Sequence, residues 1–211
     1  MKRSKPPRAS GKKNISLTTK ALQLHTPQQN KLLNKARDCF VKKARTLKVI
    51  FLDVDGVLTD GRIWLIPGGG EAKSFDAKDG VGLKAIINAG IIPVLISGRI
   101  SEIVERRAME LGIEMVFQAI EDKPGIMHTV LKELGIEPDQ TGAMGDDLPD
   151  IPMFRETALR FAPADAVPRV IEAADLVTQK PGGRGAVREV CDWLLACRTF
   201  PENAFEAGEG E

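Results

Sequence analysis

The chain has 211 residues, room for one ordinary domain with flanking tails. With 43% apolar and 28% charged residues its composition is that of a globular protein, and no apolar run reaches the roughly 18 residues a membrane-crossing helix needs. The net charge of +1 conceals an asymmetry: residues 1–45 hold thirteen Lys/Arg against one acid, Asp38, while the remainder is acidic. Tyrosine is absent and aromatics make up only 5%, which argues against a stacking surface for nucleic acid. The cysteines Cys39, Cys191 and Cys197 lie at no metal-ligand spacing and imply a reducing, cytoplasmic setting.

In chain order, residues 1–46 read as a basic arm, largely disordered, with a helical pattern over 28–44. No apolar segment and no small-residue cleavage site follow the basic start, so a targeting peptide is not expected. The domain proper is expected over 47–199, and 200–211 reads as a polar tail. Leu47–Val54 predicts a buried strand. Arg62–Leu65 and Glu71–Phe75 predict a small hairpin across Ile-Pro-Gly-Gly-Gly. Asp79–Asn88 predicts a helix ending at Gly90, and Ile91–Ser97 a second buried strand. A helix over Ile100–Leu111, a strand over Met115–Gln118, a helix over Lys123–Leu134, and strands at Thr141–Gly145 and Thr157–Phe161 follow. Alternating apolar strands and helices at this spacing imply an α/β fold, a mainly parallel central sheet covered by helices on both faces.

In such sheets chemistry collects beyond the carboxyl ends of the strands. The first strand ends in Asp53-Val54-Asp55-Gly56-Val57-Leu58-Thr59-Asp60, two carboxylates one residue apart. Both ionised, they repel unless a proton or cation intervenes, and magnesium favours such oxygen ligands. The second strand ends in Ser97-Gly98-Arg99, a hydroxyl, an unhindered amide and a cation suited to phosphate oxygens. Lys123 opens a helix, and the fourth strand ends in Gly145-Asp146-Asp147 with Asp150 close behind. In this order the groups make a magnesium site and a phosphate clamp. His25 and His128 have no partners at ligand spacing and read as structural or exposed.

These four segments resemble the motifs of the haloacid dehalogenase superfamily phosphatases, over about residues 47–199. Phe75–Gly80 and the Gly-Gly-Arg-Gly run at Gly182–Gly185 make the chain most similar to the 3-deoxy-D-manno-octulosonate 8-phosphate phosphatase branch. The resemblance implies a Rossmann-like three-layer sandwich and an aspartyl-phosphate mechanism. By it, Asp53 is the nucleophile, Asp55 the general acid and base, and Ser97 and Lys123 hold the transferring phosphoryl group. Magnesium falls to Asp53, the Asp55 carbonyl and Asp146, with Asp147 and Asp150 orienting metal waters or Lys123. Substrate contacts fall to Asp55, Asp76, Ala77, Lys78, Asp79, Gly80, Lys84, Arg99, Arg107 and Lys123. Where this sequence has Lys78 and Lys84, the relatives carry arginine, and lysine cannot reproduce a bidentate contact.

Only about twenty residues separate Thr59 from Asp79, enough for a hairpin and too few for a cap domain. The resemblance implies a capless homotetramer in which a neighbour completes the site, with a role in lipopolysaccharide biosynthesis. Arg99 and Arg107, eight apart on one predicted helix, are expected on one side to pair with a substrate carboxylate. Arg184 either reaches a neighbouring subunit's site or caps the final helix. Alternative readings are a phosphatase of another nonulosonate phosphate of the sialic-acid type, a receiver-like phosphoacceptor module, and a non-catalytic oligomerisation domain. The receiver reading lacks an accepting acid, since the third strand ends in Gln118.

Overall fold

The computed structural model describes residues 38–199, so most of the basic arm and the C-terminal tail lie outside the described residues. The helical pattern expected over 28–44 falls partly outside them; residues 38–46 are helical (α1). Ala44 of α1 is fully buried, and the Phe40 ring packs tilted against Trp193 at a centroid separation of 4.5 Å.

The sheet contains β1 (Val49–Leu52), β4 (Ile92–Ile96), β5 (Met115–Phe117), β6 (Thr141–Met144), β7 (Leu159–Ala162) and β8 (Leu176–Val177). They run in the order β5-β4-β1-β6-β7-β8, and each neighbouring pair is parallel. Central β1 is buried along its whole length, which is why its sequence is a continuous apolar run rather than an alternating one. Its side chains nevertheless alternate between faces. Ile50 and Leu52 join one core, and Val49 and Phe51 the other.

The first core is closed by α2 (Ala77–Asn88), α3 (Glu102–Leu111) and α7 (Ala186–Thr199), through Leu83, Ile86, Val104, Ala108, Val190 and Leu194. The second is closed by α4 (Lys123–Leu134), α5 (Ile151–Arg155) and α6 (Pro168–Ala173), through Met127, Val130, Met153, Phe154 and Val170. The result is the expected three-layer α/β sandwich. Between β1 and α2 there is only an antiparallel hairpin, β2 (Trp64–Leu65) and β3 (Glu71–Ala72). The chain is capless there, as its length predicts.

Three local expectations need adjustment. The helix expected from Ile100 begins at Glu102, because Ser101 is extended (φ −155°, ψ 115°) and its amide is taken by Gln118 Oε1 at 2.7 Å. Arg99 therefore lies before the helix and not on it with Arg107. The helix expected from Asp79 begins at Ala77, with Asp76 as its cap: the Asp76 carboxylate accepts from the Lys78 amide at 2.8 Å. The short elements α5, α6 and β8 carry too few residues for a periodic signal and were not anticipated.

Candidate active site

Parallel pairing fixes the floor of the site. Leu52 of β1 is in register with Met144 of β6, so the segments that follow, from Asp53 and from Gly145, leave the sheet side by side. The Asp53 amide donates to the Met144 carbonyl at 3.0 Å, carrying the pairing one step past the strand. The chain then turns sharply at Gly56 (φ +99°), where a Cβ would overlap the Asp146 carboxylate. Only glycine lets the two acidic loops approach so closely.

Lys123, at the first turn of α4, is 5% exposed and reaches this floor. Its Nζ donates to Asp53 Oδ1 and to Asp150 Oδ1, both at 2.6 Å. The other Asp150 oxygen accepts from the amides of Asp146 (2.9 Å) and Asp147 (3.3 Å). Asp150 thus ties the lysine to the acidic loop. Carboxylate oxygens of Asp53, Asp146 and Asp150 lie within 4.8 Å of one another.

The electrostatics of this group are unfavourable as it stands. Burial, with Asp150 alongside, pushes Asp53 up to about 7 although Lys123 pulls the other way. Burial, then the charges of Asp53, Asp150 and Asp147, pushes Asp146 up to about 7 as well. Burial also works against the charge on Lys123, but Asp53 and Asp150 outweigh it and raise the ammonium above its ordinary 10.5. One buried cation shared among three carboxylates leaves a deficit of positive charge. An all-oxygen donor set, crowded and under-neutralised, fits a hard divalent cation.

Ser97 follows β4 and is 3% exposed; its Oγ accepts from the Arg99 amide at 3.1 Å. Asp55, one residue past Val54, lies on the more open side, its Oδ1 bonded to Lys73 Nζ and its Oδ2 3.9 Å from Arg99 Nε. Lys73 was missed in the sequence because it belongs to no motif there; its only signal is a lysine in the hairpin, an unremarkable surface feature. Thr59 was missed as well. It is buried, and its Oγ1 accepts from the amides of Gly56 and Gly61, holding the loop after Asp55 in shape.

The expected substrate contacts divide. Asp79 is engaged within the chain: it is 2% exposed and its carboxylate accepts from the amides of Gly185 (3.2 Å) and Arg188 (2.7 Å). It caps the start of α7 from another element, and burial raises its pKa. Asp76 is taken up by its own helix start. Gly80 is buried against Arg107, so a Cβ there would crowd the guanidinium. Arg107 lies over the Phe75 ring (5.8 Å) and pairs with Glu110 at 3.4 Å. Arg99 is 3.7 Å from Glu71. Ala77, Lys78 and Lys84 are exposed on α2. Asp147 is exposed and accepts from the Leu148 amide at 2.7 Å, a cap for the 3₁₀ turn Leu148–Asp150 and no partner of Lys123.

The Gly182–Gly185 loop closes on the first acidic loop. The Gly183 amide donates to the Val57 carbonyl at 2.9 Å, and a Cβ on Gly182 would overlap the Gly56 carbonyl. Arg184, left open between two roles, pairs with Asp60 of its own chain at 3.8 Å.

Comparison with known proteins agrees with this fold. Residues 121–189 match the haloacid dehalogenase-like hydrolase family model. The 3-deoxy-D-manno-octulosonate 8-phosphate phosphatase KdsC of Escherichia coli K12 is 42% identical over 155 residues, 74% of this chain and 82% of that protein. The crystal structure of the Yersinia pestis phosphatase of the same name superposes with a TM-score of 0.75 at 39% identity, covering 76% of this chain and 87% of that one. That of the Moraxella catarrhalis phosphatase, in complex with magnesium ion, phosphate ion and KDO, superposes with a TM-score of 0.74 at 40% identity, covering 80% and 96%.

Proposed function

The chain belongs to the 3-deoxy-D-manno-octulosonate 8-phosphate phosphatases, haloacid dehalogenase-like hydrolases, and we propose that it cleaves 3-deoxy-D-manno-octulosonate 8-phosphate through an aspartyl phosphate on Asp53. The observation that carries this reading is the floor of the site: Asp53 bonded to Lys123 at 2.6 Å, with Asp146 and Asp150 within shared-ligand distance. The Moraxella catarrhalis complex supports the choice of ion and sugar acid.

Asp53 and Asp146, with the Asp55 backbone carbonyl, would hold magnesium. The bound ion supplies charge neutralisation, letting a carboxylate meet a phosphoryl group that would otherwise repel it. Lys123 and Ser97 then hold phosphoryl oxygens, Lys123 from a position fixed by Asp150. An Asp53 carboxylate oxygen forms a bond to phosphorus as the bond from phosphorus to the sugar oxygen breaks. Asp55 delivers its proton to that sugar oxygen. It next takes a proton from water as the water oxygen attacks phosphorus, releasing inorganic phosphate and restoring Asp53. Covalent transfer of this kind depends chiefly on positioning and charge, which the buried floor provides.

Arg99 and Arg107 serve the substrate carboxylate. They come from a loop and from α3 and not from one helix face, and each has an acidic competitor, Glu71 and Glu110. Among the described residues no cap covers the site, and Ile63, Trp64, Leu65 and Ile66 of the hairpin are 51–77% exposed. Exposed apolar side chains of this kind favour association, and the assembly is a homotetramer in which neighbours close the site. A protein that is monomeric by light scattering at micromolar concentration and fully active would contradict this. Among the described residues no helix is long and apolar enough to cross a membrane.

The reading is tested by phosphate release from a panel of phosphorylated sugar acids, including sialic-acid-type 9-phosphates, with and without magnesium. The octulosonate ester should be the best substrate and should require the ion. Equal turnover after complete chelation, or preference for a nonulosonate ester, would reject the mechanism or the substrate respectively.

A further inference from the structure

Lys73 is outside the machinery described so far, yet its side chain is withdrawn from solvent. Its side chain is 2% exposed. Burying an ammonium costs several kcal/mol unless a partner compensates, so its partner identifies what it is for. That partner is Asp55: Lys73 Nζ hydrogen-bonds to Asp55 Oδ1. Lys73 directly follows β3, and Glu71, two residues earlier, reaches Arg99 Nη2 at 3.7 Å. Arg99 Nε in turn lies 3.9 Å from Asp55 Oδ2. Glu71 Oε1 is buried with no hydrogen-bond partner among the described residues. The hairpin therefore sets the charges on both sides of Asp55.

We propose that Lys73 is a positioning residue: it fixes the Asp55 carboxyl group in the orientation from which it transfers protons. The inference rests on the phosphatase reading above, in which Asp55 protonates the leaving sugar oxygen. A carboxyl group free to turn about its last torsion offers its proton in the wrong direction much of the time. The ammonium occupies Oδ1 and holds the group so that Oδ2, which faces only the more distant Arg99 among the described residues, is the oxygen left to exchange a proton with the substrate. In the first step that proton passes from Oδ2 to the ester oxygen as the phosphorus–oxygen bond breaks. The hairpin is thus an arm that steadies the acid as well as an exposed apolar surface.

Leaving-group chemistry separates this role from a merely structural one. A sugar alkoxide needs a proton to depart, whereas p-nitrophenolate leaves without one. The full chain with magnesium is assayed on 3-deoxy-D-manno-octulosonate 8-phosphate and on p-nitrophenyl phosphate, as wild type, Lys73→Met and Lys73→Arg. The comparison uses kcat/KM, which reports the steps through leaving-group departure. Lys73→Met should lower kcat/KM for the sugar ester by about a hundredfold, at the low end of what general acid catalysis contributes, and for the aryl ester by less than about threefold. KM for the sugar ester should change little, and Lys73→Arg should recover most of the loss. Should Lys73→Met fail to fold by circular dichroism, Lys73→Gln carries the same comparison. Equal losses on both esters, an effect on KM alone, or no effect would each overturn the inference. A wild-type protein inactive on both esters would remove the phosphatase reading and this inference with it. A protein active on both whose variants lose them equally would remove only the latter.

Discussion

The floor of the site and its rim are built on different principles. On the floor, Asp53, Lys123 and Asp150 are buried and joined by bonds of 2.6 Å, each at a position fixed by β1, α4 or the turn after β6. At the proposed rim, Lys78, Lys84 and Arg99 are exposed, and the arginines Arg99 and Arg107 are paired with acids of their own chain. Groups that make and break bonds must be held before the substrate arrives; groups that recognise a sugar can exchange partners when it does. The difference implies that substitutions on the floor act on turnover and stability together, and those at the rim on substrate affinity alone.

The largest expected effect is at the nucleophile. Asp53→Asn should lower kcat by at least about a thousandfold, as loss of a covalent nucleophile does, while the fold persists. Because the change removes a buried carboxylate, its melting temperature without magnesium at pH 8 should equal or exceed that of the wild type by calorimetry. Lys123→Met should follow, lowering kcat by about a hundredfold to a thousandfold through loss of a phosphoryl donor. It also leaves Asp53 and Asp150 facing each other unpaired, which should cost about 3 kcal/mol or more in urea unfolding at pH 8. A Lys123→Met variant with full activity would break the distinction between floor and rim.

Arg99→Ala and Arg107→Ala should each raise KM by about tenfold, with kcat nearly unchanged in Arg107→Ala, the sign of binding lost equally from ground and transition states. An unchanged KM in both would remove them from the rim. The smallest effect is on stability without the ion. Asp53 and Asp146 titrate at about 7 in the folded chain against 3.8 unfolded, so the fold binds protons that the unfolded chain does not. Their favourable contribution is complete below about pH 3.8 and is lost as pH rises through about 7. Magnesium competes with those protons, so the rise in melting temperature it produces should be larger at pH 8 than at pH 5.5.

The same contrast decides what was legible in the sequence. Asp53, Ser97, Lys123 and Asp146 stand at strand ends or helix starts, and a parallel sheet brings such positions together whatever the details. The apolar runs of β1 and β4 read directly as buried strands. Asp79 was placed with the substrate contacts; that its carboxylate caps α7 through the amides of Gly185 and Arg188 is announced by nothing local, because the partners are 106 residues or more away in the chain. Arg99 and Arg107 were read onto one helix; the Gln118 side chain holds Ser101 extended and ends that helix short of Arg99. Lys73 and Thr59 gain their roles only when the hairpin and the acidic loop fold back on the strand end. Tertiary contacts of this kind leave no periodic or motif signal.

The central claim is that Asp53 forms a bond to phosphorus. The most direct measurement is rapid acid quench of the wild-type protein with substrate and magnesium, followed by peptide mass spectrometry. A hydroxylamine-labile phosphoryl group is expected on the peptide containing Asp53, present during turnover and absent from Asp53→Asn. Turnover with no phosphoprotein at any quench time, or with the phosphoryl group on another residue, would contradict it.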